Sequence, residues 1–208
     1  MTSHSSHRPG SRLALVVVIA LLLAGCARTQ PTSWYQLAAT ADGQTDAGTV
    51  ATVQLVIGLG PLILPEILNR QQIVTRSGSS RVELADRHRW AEPLQDNIAR
   101  VMRENLAALL GTEQIVAYPW SRSTGVDYQI KVEIVSFEGK GLEQAQLEAL
   151  WSILDRQGKV VVPQRRSRQT VEAATTDHDG LVEALSEALA LCCREMATAL
   201  AHLPAPRS

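Results

Sequence analysis

From Tyr128 to Ile134 the chain alternates apolar and polar side chains: Tyr, Gln, Ile, Lys, Val, Glu, Ile. Successive side chains of a strand point to opposite faces, so this run makes one dry face and one wet face. Tyr128, Ile130, Val132 and Ile134 form the dry face; Asp127, Gln129, Lys131 and Glu133 form the wet one. The pattern predicts a strand over residues 127–137, and a sheet with one solvated face is usually antiparallel. The dry face needs a cover, and two segments with helical spacing supply it. Leu94, Ile98, Val101, Met102, Leu106 and Leu109 predict a helix over residues 91–110, with Pro93 in its first turn and Gly111 as its stop. Val182, Leu185, Leu189, Cys192, Met196 and Ala199 predict a second over residues 178–203, capped by Asp177.

Shorter strands are expected at 34–37, 49–57, 72–75, 81–84 and 115–118. A strand at 146–154 turns through 155–159 into a return strand at 160–162 and 167–174. Gly58 and Gly60 punctuate the end of the second strand, and Pro61 and Pro65 bracket an apolar loop. The expected fold class is α+β: one domain, an antiparallel sheet packed on two long amphipathic helices.

The N-terminus carries an address. Arg8 and Arg12 precede an unbroken apolar run over residues 13–24. That run is short of the roughly 20 residues of a membrane-spanning helix. A basic start, a short apolar core and small residues have the layout of a secretory signal peptide. The run ends in Leu23-Ala24-Gly25-Cys26, a bacterial lipobox. The Cys26 thiol would take a diacylglyceryl group. Cleavage before it would free an amine for a further acyl chain such as palmitate, and two or more chains hold a protein on a membrane firmly. Asp after the cysteine retains enteric lipoproteins at the inner membrane; Ala27 therefore points to the periplasmic face of the outer membrane. The expected organisation is a cleaved signal peptide at 1–25, a lipidated tether at 26–33, a domain at 34–203 and a tail at 204–208.

Cleavage removes two arginines and no acid, leaving 18 basic and 21 acidic residues and a net charge of −3. With 4% aromatic residues, that balance argues against a nucleic-acid partner. Beyond Cys26 the cysteines are Cys192 and Cys193. Adjacent residues, with Cα atoms about 3.8 Å apart, are too close for an ordinary disulfide. Cys192, on the apolar stripe, is read as core; a redox or intermolecular role for Cys193 stays open.

Motifs for chemistry are missing. Gly58-Leu59-Gly60-Pro61 lacks the lysine of a phosphate loop, and Pro61 has no N–H to offer. His88, His178 and His202 form no ligand pair at helical spacing. Asp177-His178-Asp179 suits a helix start better than a metal site. No Gly-x-Ser-x-Gly elbow is present. The chain is not expected to be an enzyme, nor to need a cofactor or metal. Arg165, Arg166 and Arg168 are read as a solvated strand face, with an anionic partner or lipid headgroup as the lesser reading.

The order of motifs adds a resemblance. The lipobox, Trp34-Tyr35-Gln36-Leu37, Gly58-Leu59-Gly60-Pro61, Leu64-Pro65, Leu68-Asn69-Arg70, Gln72-Ile73-Val74-Thr75-Arg76 and Trp90-Ala91-Glu92-Pro93-Leu94 together resemble the PqiC-like lipoproteins. These are auxiliary components of ABC-type and mammalian cell entry (MCE) transport systems. The resemblance implies an outer-membrane lipoprotein that serves lipid transport between the two membranes. Its partners would be an MCE-domain protein and an inner-membrane permease. It admits phospholipid contact and a ring-like homo-oligomer, and it carries over no catalytic residue. The alternative is a stand-alone lipid- or ligand-binding lipoprotein. Within this frame Pro61, Leu62, Ile63, Leu64 and Pro65 are the candidate contact with a partner or lipid. They are either an exposed rigid tip or a core plug, and the sequence does not separate the two.

Overall fold

The computed structural model describes residues 31–41, 55–78 and 80–204. Cys26, the signal peptide and most of the predicted 49–57 strand lie outside the described residues. Thr32–Ser208 form one compact unit. Its strands are β1 (Ser33–Tyr35), β2 (Ile57–Ile63), β3 (Gln72–Ser77), β4 (Arg81–Trp90), β5 (Ile115–Ala117), β6 (Tyr128–Lys140), β7 (Gln144–Asp155) and β8 (Val160–Glu172). Its helices are α1 (Leu94–Leu110) and α2 (His178–Ala201).

Among the described residues all eight strands belong to one sheet, and β6 is its hub. The hairpin partner β7 runs antiparallel along one side of β6, and β8 runs antiparallel to β7. Two strands share the other side. β2 lies parallel to the first half of β6, from Ile57 opposite Tyr128 to Ile63 opposite Glu133. β3 joins only at the far end, where Thr75 faces Gly139 and Arg76 faces Lys140. β4 is antiparallel to β3, β1 is parallel to β4, and β5 is parallel to β2. The sheet is therefore mixed, which corrects the antiparallel expectation. Alternation along β6 reports which face is wet; it carries no information about the direction of a neighbour.

The dry face holds Tyr128, Ile130, Val132, Ile134 and Phe137 of β6 and Leu147, Trp151 and Ile153 of β7, all buried. α1 packs over β2 and β5, α2 packs over β7 and β8, and the helices pack against each other. α1 keeps its predicted face and stop, with all six stripe residues buried and Gly111 ending it at φ 63°, but it starts at Leu94, so Pro93 caps it from outside where it was expected in the first turn. α2 is less one-sided than its stripe suggested. Leu181, Ala184, Ala188, Cys193 and Leu200 are buried beside that stripe. α2 meets α1 as well as the sheet, so small residues line a second face. At its start the Asp177 carboxylate accepts the Gly180 N–H at 2.8 Å, an N-cap.

Other boundaries move. β4 runs on to Trp90, and the two predicted return segments fuse into β8 across Pro163. Edge strands tolerate proline and charge, and β8 pairs only with β7. β2 does not stop at Gly58; it continues through Gly60 and Pro61 to Ile63, with a bulge between Leu59 and Leu62. Asp127, expected on the wet face, is buried; its carboxylate accepts the Val56 N–H at 2.9 Å and pairs with Arg156.

The segment after β1 is tied into the body. Leu37 is buried, and its carbonyl accepts from Arg100 of α1 at 3.1 Å. The Ala38 N–H reaches Ser186 of α2 at 3.2 Å, and the Thr40 and Ala41 N–H groups share the Asn105 side chain. The segment that follows β1 is thus held by both helices.

Candidate functional site

The apolar stretch after Gly60 is the end of a strand. Pairing puts Leu62 opposite Val132, on the dry face, and Ile63 opposite Glu133, on the wet face. Leu62 is accordingly 8% exposed and Ile63 55% exposed. Pro61, Leu64 and Pro65 are half-buried, with Leu64 resting on the core. The choice between exposed tip and core plug therefore divides by residue, because strand alternation sorts the side chains. Beyond Pro65, one 3-10 turn over Glu66–Leu68 inserts Leu68 into the core and leaves Ile67 outside.

Polar side chains fix the backbone around this tip. Gln95 of α1 donates to the Leu62 carbonyl at 2.9 Å, and Gln129 of β6 donates to the Gly60 carbonyl at 2.8 Å. Arg70 closes the turn by donating to the Ile67 carbonyl at 2.7 Å. Ile63 and Ile67 are thus apolar side chains presented on a fixed backbone.

Both glycines are explained by what lies over them. The Trp120 indole covers Gly58, where an added Cβ would sit 2.5 Å from the ring. Gly60, at φ 120°, has the Tyr118 Cβ 2.7 Å from the same construction. Tyr118 packs edge-on to Trp120 at 5.5 Å and is itself exposed. The segment after β5 folds back over the wet face of β2, and glycine is the residue that leaves room for it. An aromatic lid lies where a phosphate loop would keep its cradle.

The basic stretch divides in the same way. Arg166 and Arg168 pair with Glu148 on the wet face. Arg165 lies opposite Trp151 and sets its guanidinium 5.7 Å over that ring, on the helix side.

One cluster left no trace in the sequence. His88 of β4 and His178 of α2 stack with ring centroids 3.6 Å apart, and the Tyr35 hydroxyl hydrogen-bonds His88 Nδ1 at 2.9 Å. Residues so far apart in the chain share no local pattern, so only the topology brings them together. Burial, then the charge of His88, lowers the His178 pKa. Among the described residues no three His, Cys, Asp or Glu side chains meet as a metal cluster. Cys192 and Cys193 are free and buried. Burial pushes the Cys192 thiol up to about 12 and raises Cys193 as well. Such thiols pack as apolar groups, so a redox role for Cys193 gains no support. No helix among the described residues is long and apolar enough to cross a membrane.

Comparison with known proteins gives the geometry a family. No curated protein matches the chain in sequence. Protein XCC0632 from Xanthomonas campestris shares the fold with a TM-score of 0.67 at 16% identity, over 82% of this chain and 96% of its own. The crystal structure of an uncharacterized protein aligns with a TM-score of 0.66 at 16% identity, over 82% of this chain and 99% of its own. Residues 35–197 match the family model described as the ABC-type transport auxiliary lipoprotein component. That match takes in every element from β2 to β8 and most of α2, and the chain belongs to the family of ABC-type transport auxiliary lipoprotein components.

Proposed function

We propose that this chain is a subunit of an MCE/ABC-type system that moves lipid between the inner and outer membranes and so maintains membrane integrity. It is anchored through lipidated Cys26 on the periplasmic face of the outer membrane. It works by docking, without catalysis of its own, on an MCE-domain protein that in turn meets an inner-membrane permease. Family membership over residues 35–197 supports the transport setting. The observation that carries the docking reading is Ile63, held exposed at the end of β2 while Gln95 and Gln129 fix the backbone just before it, at Leu62 and Gly60. A rigid apolar side chain loses little entropy on being covered, which favours a protein contact. A ring of identical subunits would present several such tips at once.

Two measurements test the reading. Ile63→Ser should abolish co-purification with the MCE-domain partner while the melting midpoint stays within a few degrees, since surface changes usually cost under about 0.5 kcal/mol. Full retention of the partner by that variant would defeat the docking role. Cys26→Ala should remove acyl labelling and membrane retention together; a variant that is still labelled would place the anchor elsewhere.

A further inference from the structure

A second feature lies on the opposite side of the sheet from β2. Between β8 and α2 runs an open groove of about 790 Å³, within the range of small-molecule sites. Trp151, Val161, Leu191 and Leu203 give it an apolar lining. Arg165 stands on the β8 wall and Arg194 on the α2 wall. These two cations differ from their neighbours. Arg166 also touches the groove, but it pairs with Glu148. Arg194 has no side-chain hydrogen bond or ion pair among the described residues, and Arg165 meets only the Trp151 ring. The groove's one carboxylate, Glu195, is engaged by the Ser167 hydroxyl and by Gln169 at 2.6 Å.

We propose that this groove binds a single-chain anionic lipid, its carboxylate or phosphate head held between Arg165 and Arg194 and its acyl chain laid along Val161, Leu191 and Leu203. Two walls of opposite elements each supply one cation without an acidic partner, and the surface between them is apolar. A small anion would leave that surface wet, and a neutral lipid would leave both guanidinium groups without a counter-charge. An anionic amphiphile satisfies both, because guanidinium binds carboxylate and phosphate with strong charge-assisted hydrogen bonds. The site is separate from Ile63 and does not depend on the docking partner.

The test uses the mature chain, residues 26–208 with Cys26→Ser, and titration calorimetry below the micelle concentration. The ligands are oleate, 1-oleoyl-lysophosphatidate and neutral monoolein. One saturable site is expected for the two acids and much weaker binding for monoolein. Arg165→Gln with Arg194→Gln should weaken binding by at least the order of tenfold, the loss of a charge-assisted contact. Arg168→Gln, outside the groove, should leave it unchanged, and melting curves should show all variants equally folded. Binding of only one acid supports the site and names its head group. Equal affinity in the double variant, equal binding of monoolein, or no binding of either acid would overturn the proposal.

Discussion

At Gly58 an added methyl would lie 2.5 Å from the Trp120 ring, with backbone beneath and the indole above. Gly58→Ala should therefore destabilise the domain by about 1–3 kcal/mol, the usual cost of overpacking. Making Trp120→Ala in the same chain should recover part of that loss, as a urea double-mutant cycle would record. The neighbouring tip separates by side chain. Leu62→Ala should cost about 2–5 kcal/mol as a buried truncation, whereas Ile63→Ala should change stability by under about 0.5 kcal/mol. His178 makes a pH-dependent contribution whose sign follows from its surroundings. Burial and His88 lower its pKa from 6.5, while Asp177 and Asp179 oppose this in part. Below about pH 6.5 the unfolded chain then binds more protons than the folded one. The stability from neutral His178 is present above that value and is lost as pH falls through the lowered folded pKa. Urea midpoints measured from pH 7.5 to 5 should fall in the wild type and fall less in His178→Gln.

At the scale of elements, α2 depends on its cap and its packing in different measure. Asp177→Ala removes the acceptor for Gly180 and should cost about 1 kcal/mol. Leu185, 1% exposed, touches the interior of the sandwich, and Leu185→Ala should cost about 2–5 kcal/mol. A cap variant that lost more than the core variant would mean that α2 is held by its end and not by its face. The other vulnerable element is β8, a long edge strand. Pro163 and the Glu148 pairs of Arg166 and Arg168 protect it, since proline and charge discourage a further strand from adding.

For the whole molecule, the branch at β6 sets the mechanics. β7 joins β6 along its full length and carries β8 on its other side, but β3, β4 and β1 hang from two residue pairs at the end of β6. Arg76 fastens that wing through a fork to buried Glu138, with contacts of 2.6 and 3.1 Å. Glu138→Gln should speed amide exchange in β3 and β4 and leave β7 unchanged, because local opening follows the weakest attachment. Uniform acceleration across the sheet would show that the wing and the hub open as one unit.

Much of this architecture was written locally. The heptad-like stripes, Asp177, Gly111 and the alternation of β6 each act over one or two turns or a few strand residues, where side-chain period reports burial directly. The lipobox is equally local, and it names Cys26 as the expected anchor. Tertiary structure decided what no short window holds: the parallel pairing of β2 and β3 on β6, the burial of Asp127 beside Arg156, and the stacking of His88 on His178. It also decided the candidate sites. Gly58 and Gly60 looked like the end of a strand because glycine usually interrupts one; here they continue it, since Trp120 and Tyr118 fold back from beyond β5 to occupy the missing Cβ positions. Leu62 and Ile63 looked alike until the register of β2 on β6 turned one inward and the other out. Strand pairing is a contact between distant segments, and the energy that selects it comes from the assembled core, so its consequences for single side chains exist only in the folded chain.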